Sequence, residues 1–146
     1  MTLILPSETI FHVIESTIKG YRRFAQKNIS DKIKGMTIDQ GMLLIFLSEY
    51  PELTQKEIGE LVFKDNASMT RMINTMVQKG YLNRSMNNKD RRRYKIEITA
   101  KGKEILETLP PIIQYNRNST LKGVTNNELE QLKTILNKIK NNCIKI

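Results

Sequence analysis

The residue types that support covalent or metal chemistry are scarce in this chain. One histidine, His12, and one cysteine, Cys143, stand among 146 residues, near opposite ends. A lone cysteine cannot close a disulfide within the chain. One histidine and one cysteine cannot furnish the four ligands of a structural zinc site, nor do they offer an evident nucleophile–base pair. The seven glycines are scattered, so no phosphate-cradling loop is present, and H-E-x-x-H is absent. The expectation is no catalytic residue, no metal ligand, no cofactor and no enzyme. Apolar runs stay far below the ~18 residues of a membrane span. Met1 to Pro6 is apolar but lacks a basic flank and a cleavage site. A cytoplasmic protein with no membrane partner is expected.

Acidic residues are the scarcer charge: 15 against 24 lysines and arginines, for a net +9. The excess is concentrated. Between Lys64 and Lys95 nine basic residues face only Asp65 and Asp90. A focused positive region favours a polyanionic partner. With 39% hydrophobic residues the chain can bury one core, and residues 1–146 read as a single domain.

Hydrophobic spacing then orders the elements. From Ser7, a candidate cap, to Lys32, the residues Ile10, Ile14, Ile18 and Tyr21 recur at helical intervals. Thr37 and Gln40 have capping-box spacing ahead of a helix to about Ser48 that is apolar nearly all round. Thr54 and Glu57 repeat the spacing before a short helix with Ile58, Leu61 and Val62 inward and Gln55, Lys56 and Glu60 outward. After a tight turn, Asp65 or Asn66 caps a helix whose Met69, Met72, Ile73 and Met76 face the core, and Gly80 ends it. The period then drops to two. Tyr81–Arg84 and Arg93–Thr99 read as strands of a hairpin, with Tyr94, Ile96 and Ile98 on one side and Lys95 and Glu97 on the other. Helix returns after Thr99; Pro110-Pro111 should end or kink it, and by residue rules alone it ends there. Thr125 and Glu128 open a final helix with a seam of Leu129, Leu132, Leu136, Ile139 and Cys143.

Helix, turn, helix and basic hairpin, in that order, make a winged helix-turn-helix. The fold expected is mainly α with a small β-hairpin wing, and the DNA-binding core spans residues 37–99. The second helix of such a pair enters the major groove. Its outer face here is small and polar at Ser68 and Thr70, with one forked donor, Arg71, suited to guanine. Asn66 suits a phosphate near the helix N-terminus. Gln55 and Lys56, outward on the preceding helix, join the DNA-binding set. The hairpin tip, with Lys89, Arg91, Arg92 and Arg93, fits a narrow minor groove, and Asp90 serves as wing support by orienting an arginine. Two other readings use the same residues: a protein-interaction module and a non-specific or RNA-binding module. The focused charge and the Ser68–Thr70–Arg71 face argue against the first. The scarcity of aromatics, with Tyr94 alone near the tip, argues against single-strand binding.

Three stretches resemble the multiple antibiotic resistance regulator (MarR) family: Thr54 to Val62 (T-Q-K-E-I-G-E-L-V), Met76 to Leu82 (M-V-Q-K-G-Y-L), and Asp90 to Gly102 (D-R-R-R-Y-K-I-E-I-T-A-K-G). The last is similar to the family's wing signature, with Ile98 where leucine is usual. The resemblance implies a homodimeric transcriptional regulator, most often a repressor, on a pseudopalindromic double-stranded DNA site. It implies dimerisation through helices in residues 1–34 and 100–146, which assigns Ile10, Ile14, Leu129, Leu132, Leu136 and Ile139 to the subunit interface. It implies a helix running on, kinked, through Pro110-Pro111, the reading adopted here. It matches Asn66, Ser68, Thr70 and Arg71 to recognition-helix contacts, and Asp90 with Arg92 to a wing pair, Arg91 and Arg93 remaining as substitutes. A small-molecule effector, often aromatic or anionic, is implied. Oxidant sensing through a cysteine near the N-terminus is not, because Cys143 stands elsewhere.

Overall fold

The computed structural model describes residues 2–86 and 94–145. It contains six α-helices and one antiparallel β-hairpin: α1 (Ile10–Lys32), α2 (Ile38–Glu49), α3 (Gln55–Leu61), α4 (Asn66–Gln78), β1 (Leu82–Met86), β2 (Tyr94–Ile98), α5 (Ala100–Thr120) and α6 (Asn126–Ile144). These fall into two compact units, Met1–Asn116 and Arg117–Ile146.

Local chemistry explains most boundaries in the first unit. Thr9, not Ser7, caps α1: its hydroxyl accepts from the His12 amide at 3.4 Å. Pro6–Glu8 forms a separate 3₁₀ turn, because Pro6 supplies a first position with no N–H to satisfy. The Thr37/Gln40 box closes reciprocally at 3.1 and 3.2 Å. At α3 the box is modified. The Thr54 hydroxyl accepts from the Glu57 amide at 3.2 Å and donates to the Glu57 carboxylate at 2.9 Å. Helix α4 ends in a Schellman arrangement, with Tyr81 N donating to Met76 O and Gly80 N to Val77 O and with Gly80 at φ 82°.

The core of this unit is built from Leu43, Leu44 and Leu47 of α2, Ile58 of α3, Met69, Ile73 and Met76 of α4, Leu82, Ile96 and Leu109. Each such side chain contributes about 1.5–3 kcal/mol by leaving water. Leu61, expected inward, is 39% exposed, and Ile45 on the all-round apolar α2 is 38% exposed, since α2 and α3 each keep an outer edge that no described element covers.

The hairpin pairs Leu82 with Ile98 through Met86 with Tyr94. Ile96 is buried while Lys95 and Glu97 are exposed, as the alternation predicts. Helix α5 leaves the sheet at Thr99. The Thr99 hydroxyl accepts from the Gly102 amide at 3.1 Å and donates to Gly80 O, so one side chain caps α5 and ties it to the end of α4. Helix α5 then continues through Pro110 and Pro111, against the residue rule that would end it there. Buried Leu109 and Ile112 stand beside the prolines, and buried Asn116 accepts a 2.7 Å hydrogen bond from Asn28 of α1. That packing holds the helix together where its own hydrogen bonds lapse.

The second unit holds the end of α5 and all of α6. Thr125 and Glu128 form a complete capping box. The bonds from the Thr125 backbone amide, then its hydroxyl, hold the Glu128 carboxyl below the usual range. Among the described residues no helix is long and apolar enough to cross a membrane.

Candidate nucleic-acid interface

The turn between α3 and α4 is set by three features. Gly59 lets the chain close, since a Cβ there would lie 3.0 Å from both the Lys64 carbonyl and the Met69 side chain. Lys64 N donates to Gly59 O at 2.8 Å. Phe63 occupies the left-handed region at φ 59°, where glycine ordinarily sits.

Asp65 then caps α4, accepting from the Ser68 amide at 2.7 Å. Its carboxyl is held below the usual range, first by the Ser68 backbone bond, then by the Ser68 hydroxyl, with further help from the positive charge of Arg71. An ionised carboxylate therefore already occupies the N-terminal amides of α4. Any phosphate beside Asn66 must be met by its side-chain amide rather than by the helix end.

The structure brings together five of the residues picked from the sequence. Gln55 Nε2 donates to Asn66 Oδ1 at 3.0 Å and to Thr70 Oγ1 at 2.8 Å. Thr70 Oγ1 donates in turn to Asn66 O at 2.9 Å. Gln55 thus braces α3 against the first turns of α4, and Thr70 spends its proton inside the brace. Arg71 Nη2 donates to Ser68 Oγ at 3.1 Å, which leaves most of its five donors facing solvent on an exposed side chain. Lys56 is exposed on α3. Lys89, Asp90, Arg91, Arg92 and Arg93 lie outside the described residues. No grouping that could hold a metal ion occurs among the described residues.

Sequence reasoning missed a second layer behind this face. Asp39, in the first turn of α2, accepts from Arg22 of α1 at 2.6 Å and from Lys64 at 3.1 Å. Lys79, at the end of α4, donates to Gly35 O at 2.6 Å. Gln26 of α1 donates to Met36 O at 2.9 Å and accepts from Ile38 N at 3.0 Å. Sequence offered only a helix-start acid and ordinary basic residues at these places.

A polar, braced helix with a forked cation, followed by an antiparallel hairpin, is the arrangement of a winged helix-turn-helix. Comparison with known proteins agrees: residues 36–94 match the MarR family. Over that stretch the chain is similar to MarR-family proteins. The transcriptional regulator SarZ of Staphylococcus epidermidis is 28% identical over 116 residues, 77% of this chain and 78% of SarZ. A mutant MarR from E. coli in complex with operator DNA superposes with a TM-score of 0.83 at 24% identity, covering 94% of this chain and 99% of that one. BpsR of Bordetella bronchiseptica, whose DNA binding is regulated by 6-hydroxynicotinic acid, gives a TM-score of 0.84 at 20% identity over 95% of this chain and 98% of BpsR. These likenesses establish the shared fold. The matched stretch runs from Met36, before α2, to Tyr94, so it contains the whole braced face.

Proposed function

We propose that this protein is a sequence-specific transcriptional regulator that binds a pseudopalindromic double-stranded DNA site as a homodimer, with a small-molecule effector tuning its hold. The observation that carries the reading is the Gln55–Asn66–Thr70 brace, which presents Arg71 and Ser68 on α4 in a fixed pose. Pre-set donors suit direct readout of base edges, because little ordering entropy is lost on contact. Residues 37–99 form the DNA-binding core. Asn66 and Lys56 serve phosphates, and Lys89, Arg91, Arg92 and Arg93 serve the minor groove with Asp90 as support. Helices in 1–34 and 100–146 form the dimer region, and a repressor working in the cytoplasm is the form of regulation that fits. Regulators in this family are not enzymes, and the relative SarZ and the DNA complex of MarR support the same reading.

The dimer has support in each unit taken alone. In the first, Ile10 is 54% exposed, and Phe11, Val13 and Ile18 are exposed with it. In the second, α6 has no buried residue; Leu132 is 50% exposed and Leu129, Leu136 and Ile139 are half-buried. Apolar surface of this extent is what an obligate partner covers.

The test is fluorescence anisotropy with the DNA upstream of the protein's own gene and a scrambled duplex, over a salt series. A dimer stoichiometry and a preference of at least about 10³-fold establish the function. A steep salt slope with no preference reduces the basic region to a polyanion binder.

A further inference from the structure

The two ends of α4 are both tied to the junction between α1 and α2. At the N-terminal end Lys64, one residue before the cap, reaches Asp39 Oδ2 at 3.1 Å. At the C-terminal end Lys79 reaches Gly35 O at 2.6 Å. A helix held at both ends cannot tilt without stretching one tether. The junction itself is fastened to α1, because Gln26 satisfies both Met36 O and Ile38 N. Arg22 of α1 holds the other oxygen of the same carboxylate, Asp39 Oδ1, at 2.6 Å.

We propose that Asp39 is the positioning residue through which α1 sets the pose of α4. The inference rests on the reading of α4 as the DNA-reading helix. One carboxylate bridges two cations from two elements, one oxygen to each, and its side chain is only 14% exposed. Arg22 and Lys64 are 42% and 31% exposed, so the pairs are partly screened and add little to stability. Their value is directional. Two cations fix the carboxylate, and the carboxylate fixes the turn from which α4 starts. A displacement of α1, from a partner subunit or an effector, reaches Lys64 through two contacts and changes the angle at which Ser68 and Arg71 meet a groove. Coupling of this kind needs an element that both sites bias. The doubly tethered α4 is that element.

Two measurements test the proposal on the full-length protein. The first is hydrogen exchange of the free protein, which needs no DNA. Arg22→Met and Asp39→Asn should each speed exchange at the α3–α4 turn and the first turn of α4, although Arg22 lies on another helix. Asp39→Glu should restore protection. Faster exchange confined to α1 and α2 would overturn the proposal. The second is the ratio of affinities for upstream and scrambled DNA. Arg22→Met and Asp39→Asn should lower that ratio by roughly two- to thirty-fold, with affinity for scrambled DNA unchanged or slightly raised. An unchanged ratio, or both affinities falling together, would sink the positioning role. If the unsubstituted protein shows no preference, the functional reading fails, and the exchange measurement still decides whether α1 is linked to α4. Should Asp39→Asn prove too unstable to study, Arg22→Met carries the same expectations.

Discussion

A methyl group on Gly102 would lie 2.4 Å from the Tyr81 carbonyl oxygen and 2.7 Å from the Ile98 side chain. Both neighbours are fixed, one by the Schellman turn and the other by the hairpin register. The residues Thr99 and Gly102 of the wing signature thus have a physical reason: one caps α5 and binds the end of α4, and the other lets α5 cross close to the sheet. Gly102→Ala should cost about 1–3 kcal/mol of stability, the usual effect of forcing atoms into a filled site, read as a lower urea midpoint. Phe63 is the opposite case. It is 91% exposed and sits at φ 59°, so replacing it loses almost no packing. The left-handed region costs a side-chain-bearing residue about 1–2 kcal/mol, and glycine gives back part of that gain in chain entropy. Phe63→Gly should therefore raise stability by about 0.5–1 kcal/mol, and a lower melting temperature would show that the ring has a partner. At Arg71 the readout is binding. If its guanidinium reads a base, Arg71→Ala weakens specific binding by about 1–3 kcal/mol and relaxes preference at one position of the site. An equal loss on every duplex would make it a phosphate contact instead.

At the scale of elements, what was legible in the sequence was what is decided locally. The boxes at Thr37/Gln40 and Thr125/Glu128 and the stop at Gly80 each involve residues within one turn, and each formed. Thr9 was missed because two good capping residues stand close together, and the 3₁₀ turn that Pro6 starts takes in Ser7 and leaves Thr9 as the cap. Asn66, Ser68, Thr70 and Arg71 are picked out in the sequence because the inward stripe Met69, Met72, Ile73 and Met76 leaves them on the outer part of α4, whereas the bonds from Gln55 of α3 to Asn66 and Thr70 cross the turn and no spacing within one helix marks them. The Asp39 bridge was not legible either, because its partners come from two other elements and nothing in the pattern marks a pair. The prolines of α5 show a local rule overruled. Residue preference ends the helix there, while burial of Leu109, Ile112 and Asn116 on either side keeps it going. The prolines themselves are exposed, so they supply no packing in return. Pro111→Ala restores an N–H for the Glu107 carbonyl and removes a ring clash worth about 3 kcal/mol in a regular helix. The more flexible unfolded chain offsets about 0.4–1 kcal/mol of that. A net rise in stability of about 2–2.6 kcal/mol in chemical denaturation is expected. No rise would mean that the surrounding structure has already adapted to the proline.

For the whole molecule the decisive quantity is the state of association. One chain has a mass of 17.0 kDa and leaves apolar residues of α1 and α6 uncovered. A monomer would expose them at a cost of roughly 25 cal/mol for every Å² of apolar area. A two-fold dimer removes that cost and sets two recognition helices at a fixed separation, which a pseudopalindromic site requires. Leu132 gives the cleanest probe, because α6 has no buried residue and a charge there disturbs no core. Leu132→Glu places two carboxylates in or beside the subunit interface, where their desolvation opposes association. Sedimentation should show the unsubstituted protein at about twice the chain mass, as two-fold association requires, and the variant shifted toward a single chain with its helical circular dichroism retained. DNA binding by the variant should lose its preference before it loses its salt-dependent, sequence-independent component, because one winged helix still meets phosphates when the second is gone. A variant that stays dimeric would move the interface off this part of α6. A variant that becomes monomeric yet keeps full preference would show that one recognition helix suffices, and the two-fold site would have to be abandoned.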